Sequence, residues 1–187
     1  MKRYVIVTGI PASGKSTIGR SLATALGLPM LDKDEILEAL FKTRGVGDAP
    51  WRMKLSRMAD DALQERAMQV ESAVITSWWR HPDSRVDSGT SAGWLLTLPG
   101  TLIELHCICG PEIAAKRFVS RKRHEGHLDK FRSYAELLES FQQQAALGPL
   151  GVGRLVNLNT EGNVELAIMF NEIELASSVD CGRPSQV

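Results

Sequence analysis

One stretch decides the fold of this 187-residue chain: Gly9-Ile10-Pro11-Ala12-Ser13-Gly14-Lys15-Ser16-Thr17. It follows the apolar segment 3–8, which has the composition of a strand buried on both faces. After it, apolar residues recur at helical spacing as far as Leu26. The glycines allow successive backbone N–H groups to point inward and form an anion-binding nest. The stretch therefore predicts a phosphate-binding loop between a first strand and a first helix.

The loop matches the pattern G-x-x-x-x-G-K-[ST], in which each polar residue has a chemical role. Lys15 supplies a point charge for the β- and γ-phosphates, and Ser16 offers its hydroxyl to Mg²⁺. The helix that begins near Gly14 directs the positive end of its dipole at the phosphates. We therefore expect ATP and Mg²⁺ as cofactors. The expected nucleotide contacts in the loop are Gly9, Pro11, Ala12, Ser13, Gly14, Lys15, Ser16 and Thr17.

Short apolar segments alternate with helical patterns along the whole chain. The predicted strands are 3–8, 28–31, 73–76, 102–109 and 154–158. This alternation is typical of an α/β fold, a parallel sheet covered on both faces by helices. The length predicts one domain, which we place at residues 1–176, and the polar residues 177–187 predict a disordered tail. In such sheets, ligands bind beyond the carboxyl ends of the strands.

The balance of charge excludes several classes of partner. Lys+Arg is 22 and Asp+Glu is 22, so the net charge is zero. Binding to duplex nucleic acid or to an anionic membrane requires a positive surplus, so we expect neither. The chain has no apolar run of membrane-spanning length, no secretory leader pattern and only three cysteines. These features predict a cytoplasmic protein, a monomer or a homodimer.

Three classes of protein share this phosphate-binding loop, and missing motifs separate them. A GTPase switch needs D-x-x-G, but none of the aspartates has glycine three positions later. A motor ATPase needs a strand that ends in an acidic residue, whereas the third strand continues into Thr76-Ser77-Trp78-Trp79. A kinase remains, in which the acceptor's own hydroxyl takes the place of water. Such an enzyme needs an acidic group to orient and accept the hydroxyl proton.

The segment Asp32-Lys33-Asp34-Glu35 supplies acidic groups at the end of the second strand. We predict Asp34 as the catalytic base and as a substrate contact. Asp32 is the alternative, either as the base or as a Mg²⁺ ligand that acts through water. A purely structural role for Asp34 is also open, because it lies where a helix N-cap or first-turn acid would lie.

A basic cluster lies at residues 116–132, where seven cationic residues face two acidic ones. Forked guanidinium groups match the oxygens of a transferring phosphoryl group. The segment from about residue 123 to residue 131 lacks apolar periodicity, so we predict that the cluster continues into a mobile lid, residues 122–132. Arg117 and Arg121 are expected to bind nucleotide, Arg121 and Arg123 to act in catalysis, and His124 to contact substrate.

The acceptor is expected across from the nucleotide, beside the third strand. Trp78 and Arg80 are the predicted substrate contacts there, although tryptophan is often only part of the core. Trp79 and Trp94 are further aromatic candidates without an assigned role. The insert between strands two and three, about residues 33–72, would complete the acceptor pocket.

The chain resembles the adenylate-kinase-like small-molecule kinases in its phosphate-binding loop, in the segment Asp32-Lys33-Asp34 and in the lid arginines Arg117, Arg121 and Arg123. These include chloramphenicol phosphotransferase, gluconate kinase, the kinase domain of polynucleotide kinase and zeta-toxin-type kinases. The stretches 77–80, 87–90 and 123–129 are similar to predicted kinases labelled as AAA-family ATPases. The resemblance covers the chain to about Asn163. It implies a P-loop NTPase three-layer sandwich with the five predicted strands in the order 2-3-1-4-5, and adenine near residues 160–163.

Two departures from these relatives leave the acceptor open. Polynucleotide kinases place an arginine three residues after the base, where this chain has Leu37. Gluconate kinases carry Asp-Gly-Asp in place of Asp-Lys-Asp. Our hypothesis is ATP-dependent transfer of the γ-phosphate to a hydroxyl of a small molecule such as a sugar, antibiotic or metabolite. The alternatives are a nucleoside, nucleotide or polynucleotide 5′-hydroxyl kinase and, from another class, a nucleotide-dependent binding switch without phosphoryl transfer.

Overall fold

A computed structural model describes residues 2–129 and 132–178 of the chain. The strands are β1 (Arg3–Thr8), β2 (Met30–Asp32), β3 (Ala73–Thr76), β4 (Trp79–Arg80), β5 (Thr90–Ser91), β6 (Thr101–Ile108) and β7 (Arg154–Asn159). The α-helices are α1 (Lys15–Leu26), α2 (Lys33–Arg44), α3 (Ala49–Gln69), α4 (Pro111–Ser120), α5 (Tyr134–Leu147) and α6 (Leu166–Ser178). Segments of 3₁₀ helix cover Gly93–Thr97 and Glu125–His127.

The central sheet has five parallel strands in the order β2-β3-β1-β6-β7. This is the predicted order, because β4 and β5 pair only with each other and lie outside that sheet. The carboxyl end of β1 therefore lies between those of β3 and β6. The loop after β1 and the residues after β2 and β3 consequently meet at one edge of the sheet.

The core has two layers because neighbouring residues of a strand point to opposite faces of the sheet. Tyr4 and Ile6 of β1 pack with α2 and α3, whereas Val5 and Val7 pack with α1 and α6. A third cluster joins α4 and α5 through Phe118 and Phe141, whose rings meet edge to face. The result is a three-layer α/β sandwich.

Several boundaries differ from the predictions. The second strand covers 30–32 rather than 28–31, and the last helix continues to Ser178, two residues past the predicted end of the domain. The rest of the predicted tail, 179–187, lies outside the described residues.

The segment 82–93 contains strand β5. Its first residue, Thr90, donates its N–H to the Trp78 carbonyl at 2.7 Å. Gly89 has a φ of 91°, and a Cβ there would lie 2.8 Å from the same carbonyl oxygen. The pairing depends on long-range contacts of Thr90, which hydropathy patterns do not report.

Candidate active site

The phosphate-binding loop is an open backbone cradle between β1 and α1. Gly9 has a φ of 123°, and a Cβ there would lie 2.5 Å from the Cys107 carbonyl oxygen, so only glycine fits. Gly14 has a φ of 94° and is the N-cap of α1, and no side chain caps that helix. The first N–H groups of α1 therefore have no side-chain partner at their cap, which suits an anion. The buried Ser13 hydroxyl also has no hydrogen-bond partner among the described residues.

Lys15 is buried beneath this loop. Its ammonium donates to the carbonyl oxygens of Gly9 at 2.9 Å and Ile10 at 2.7 Å. Burial lowers the pKa of Lys15 to about 8, and the coulombic effects of Cys107 and Asp34 only partly oppose that change. The ammonium therefore lies in the cradle with neutral carbonyl partners, where an anionic phosphate would be a stronger one.

Asp32 and Ser16 place two oxygen ligands beside the loop. Burial raises the pKa of the Asp32 carboxyl group, and the nearby Ser16 hydroxyl partly opposes that change. Asp32 is also the N-cap of α2, since it accepts the N–H of Asp34 at 2.9 Å. Hydroxyl and carboxylate oxygens are the ligands that Mg²⁺ prefers. Within residues 2–129 and 132–178, no cluster of three or more His, Cys, Asp or Glu side chains could hold a metal by itself.

Because Asp32 caps α2, the carboxylate of Asp34 is left for other contacts. It is half-exposed and lines a cavity of about 830 Å³. The same cavity brings together most of the predicted site residues. Those lining it are Pro11, Ala12, Gly14, Lys15, Ser16, Thr17, Asp32, Asp34, Trp78, Arg117, Arg121 and Arg123.

One end of the cavity is formed by α4 and the segment after β7. Arg117 donates to the Glu161 carbonyl at 2.8 Å, and Glu161 accepts the N–H of Gly110 at 2.8 Å. Thr160, Gly162 and Asn163 line the cavity at this end. The residues expected near adenine therefore lie beside one of the predicted nucleotide-binding arginines.

At the other end, the two remaining lid arginines converge on carboxylates. Arg123 donates to Asp34 at 2.5 Å and to Asp129 at 3.0 Å. Arg121 donates to the same oxygen of Asp129 at 3.1 Å, and its guanidinium lies 4.1 Å from the centre of the Phe118 ring. Asp129 is therefore shared by both arginines, and Arg123 joins it to the predicted base.

The described part of the lid segment packs on α2, a contact that the sequence did not indicate. His124 stacks on Phe41 at 5.2 Å between ring centres, and His127 meets the same ring edge to face at 5.5 Å. The buried His127 also contacts Glu38 at 3.1 Å, and Gly126 lies against the Phe41 ring. Two imidazoles and a glycine make this contact, so apolar periodicity does not report it. Lys130 and Phe131 lie outside the described residues.

Of the other predicted substrate contacts, Trp78 lines the cavity, whereas His124 and Arg80 do not. His124 contacts Phe41 and the N–H of Gly126, and does not line the cavity. Arg80 pairs with Asp87 and lines a second cavity of about 750 Å³, which Gly9 and Ile10 of the phosphate-binding loop also line. Trp78 lines both cavities and donates its indole N–H to Gln144 at 2.9 Å.

Trp79 and Trp94 belong to the core. The indole N–H of the buried Trp79 donates to the Val7 carbonyl at 3.0 Å. The Trp94 ring lies 6.2 Å from it and packs against the same hydrophobic cluster.

Three charged residues at the cavity were not identified by sequence reasoning: Arg52, Asp129 and Arg132. Arg52 belongs to α3, and its buried Nε has no hydrogen-bond partner among the described residues. Burial lowers the pKa of Arg52, with Asp129 and Asp34 opposing and Arg123 and Arg132 reinforcing the change. Asp129 and Arg132 lie in the predicted lid segment, whereas no local motif marks Arg52, because only folding brings α3 beside that segment.

Lys33 also has a role that sequence reasoning did not assign. Its buried ammonium lies 2.7 Å from Asp60 of α3 and donates to the Thr90 hydroxyl at 3.1 Å. Thr90 in turn shares a hydrogen bond with Ser77 at 2.5 Å. The residue between the two aspartates thus joins α2, α3 and β5 beneath the cavity.

A family model described as an AAA domain, AAA_33, matches residues 5–144, and these residues contain the loop, both aspartates and the lid segment. The chain belongs to this family. Within the described part of the protein, none of the helices has the length and apolar character that a membrane crossing needs.

Solved kinases share the fold of this AAA-domain chain. A candidate kinase from Chloroflexus aurantiacus superposes with a TM-score of 0.71 at 24% identity, over 93% of this chain and 94% of that one. A gluconokinase from Sinorhizobium meliloti gives 0.54 at 21% identity, over 94% of each chain. At these identities the likeness concerns the fold.

A curated relative, shikimate kinase from Mycobacterium tuberculosis, is 34% identical over 123 residues. The match covers 65% of this chain and 62% of that enzyme, so it spans less than two thirds of the relative's length.

Proposed function

We propose that this protein transfers the γ-phosphate of ATP to a hydroxyl group of a small molecule. One observation carries the proposal: a P-loop lysine and a carboxylate that caps no helix line the same cavity. With a volume of about 830 Å³, the cavity lies within the range of sites for small molecules and cofactors. The relatives and structural neighbours that are named kinases support this assignment.

The reaction would proceed between the loop and Asp34. The acceptor oxygen bonds to the γ-phosphorus while the bond from that phosphorus to the bridging oxygen of ADP breaks. The hydroxyl proton passes to Asp34, which faces the cavity. Lys15 and Arg121 offset the charge on the phosphate oxygens. Ser16 and Asp32 would hold Mg²⁺, which supplies further charge neutralisation when bound.

The surplus of positive charge in the cavity favours an acceptor that itself carries an anionic group. Six cationic side chains line the cavity against three carboxylates. Lys15, Arg117 and Arg121 are assigned to nucleotide, whereas Arg52 and Arg132 have no ion-pair partner in the described part of the chain. Arginine binds carboxylate and phosphate groups through two parallel hydrogen bonds. We therefore propose a hydroxylated carboxylate or phosphate ester as the acceptor.

A panel of acceptors read by ADP release tests the proposal. It would contain hydroxy acids, sugar acids and sugar phosphates beside neutral sugars, an aminoglycoside, nucleosides and short oligonucleotides. We expect ADP release that depends on an anionic hydroxyl compound. Release that depends on nucleosides or oligonucleotides would contradict the acceptor class. Bound ATP without release for any acceptor would instead support a nucleotide-dependent switch and would overturn the kinase assignment.

A substitution of the base provides the second arm. Asp34→Asn should keep ATP binding, measured by calorimetry, and lose at least about 100-fold in turnover because the proton acceptor is gone. Asp61→Asn is the matched control, since Asp61 is an exposed aspartate of α3 that does not line the cavity. Unchanged turnover in Asp34→Asn would transfer the role of base to Asp32.

A further inference from the structure

The contact between Arg123 and Asp34 bears on when the base becomes available. It joins two residues 89 positions apart, at the start of α2 and in the lid segment. The Arg123 side chain is only 17% exposed, whereas that of Asp34 is 50% exposed. The hydrogen bond reaches Oδ2 of Asp34. A guanidinium remains protonated at working pH and cannot accept a proton. Arg123 therefore occupies Oδ2 of Asp34 without being able to replace it as a base.

Asp129 holds Arg123 in that position from the other side. Its Oδ2 accepts from Arg123 at 3.0 Å and from Arg121 at 3.1 Å. One carboxylate thus serves two guanidinium groups, and the buried Nε of Arg121 has no partner among the described residues. Arg121 therefore keeps a donor without an acceptor in the described part of the chain, and a polyphosphate carries more charge than one carboxylate, so a polyphosphate entering the cavity would compete with Asp34 for Arg123.

We propose that Arg123 masks Asp34 in the nucleotide-free protein and that nucleotide binding draws Arg123 away, with Asp129 as the positioning residue for both lid arginines. The proposal rests on the assignment of Asp34 as the base under the proposed function. It makes the reaction ordered, because the acceptor hydroxyl can bond to Oδ2 of Asp34 only after nucleotide has bound.

The masking can be measured without knowing the acceptor. Carboxyl groups are labelled with a water-soluble carbodiimide and an amine, and the labelling of Asp34 is followed by mass spectrometry. In nucleotide-free protein, Arg123→Ala should label at Asp34 at least about threefold faster than wild type, the size of effect expected for a partly exposed ion pair. Lys122→Ala is the matched control, because Lys122 is an exposed neighbour that does not line the cavity.

Nucleotide gives the second comparison. A non-hydrolysable ATP analogue should raise the rate of Asp34 labelling in wild type toward the rate in Arg123→Ala. In Lys15→Ala, which lacks the phosphate contact, the analogue should change the labelling rate of Asp34 little. In Asp129→Asn, one of the two groups that hold Arg123 is lost, so Asp34 should be labelled faster than in wild type before nucleotide is added. Asp129→Glu should restore part of the difference. Equal labelling of wild type and Arg123→Ala, or no rise with the analogue, would overturn the proposal.

Failure of this proposal is distinguishable from failure of the proposed function. If labelling follows the prediction but Asp34→Asn retains turnover, the contact is real and the base is misassigned. If Asp34→Asn loses turnover and labelling is equal in all variants, the base is right and masking is wrong.

Discussion

The phosphate-binding loop and the acceptor side of the candidate site are built in different ways. At the phosphate-binding loop, Lys15 bonds to carbonyls only five and six positions away. On the acceptor side, Arg123 reaches Asp34 across 89 positions, and Lys33 reaches Thr90 across 57. A loop made of neighbouring residues can be identified from its spacing, whereas the acceptor side exists only when the lid segment, α3 and β5 come together. The difference explains why a nucleotide site is more easily identified than its acceptor.

The largest expected effect is at the phosphate-binding loop. Lys15→Ala should weaken ATP binding by at least about 100-fold, because a charge-assisted contact to the phosphates is lost. Calorimetric titration measures the affinity, and circular dichroism checks that the variant folds. Lys116→Ala is the control, since Lys116 is an exposed lysine of α4 that does not line the cavity. ATP affinity at the wild-type level in Lys15→Ala would remove the basis for the nucleotide site.

A smaller effect is expected on the acceptor side of the site. Arg52→Ala should raise the KM for an anionic acceptor by about tenfold, the loss of one hydrogen-bonded charge, and leave the KM for ATP unchanged. Steady-state kinetics with an acceptor from the panel measures both constants. Arg57→Ala, an exposed arginine of the same helix that does not line the cavity, should match wild type. A rise in the KM for ATP alone would mean that Arg52 binds the nucleotide. It would also remove the contrast between the phosphate-binding loop and the acceptor side.

The smallest effect is a pH dependence of nucleotide binding. Burial lowers the pKa of Lys15 to about 8, so the free protein loses this charge as the pH rises through 8. A bound phosphate favours the charged ammonium, so binding is strongest below that pKa and weakens above it. The affinity should be about fourfold lower at about pH 8.5 than at about pH 7. Titrations in two buffers with different ionisation enthalpies should show proton uptake near pH 8. No uptake would mean that the ammonium stays charged in the free loop.

Much of the fold could be predicted because its signals are short in range. The alternation of apolar strands and helices predicted the parallel sheet, and family resemblance supplied the strand order that the structure shows. The pairing of β4 with β5 was missed because it depends on Gly89 and on the buried hydroxyl of Thr90. The packing of the lid segment was missed because Phe41 contacts imidazole rings rather than an apolar face.

The sequence by itself determined the phosphate-binding loop, since glycine spacing dictates backbone geometry over nine residues. It also placed two aspartates at the end of β2. Only the tertiary structure decided how the two divide their roles: Asp32 caps α2 and lies beside Ser16, while Asp34 faces the cavity and Arg123. The physical reason is that capping is a local hydrogen bond within one turn, whereas burial and ion pairing depend on which distant segments pack beside each carboxylate.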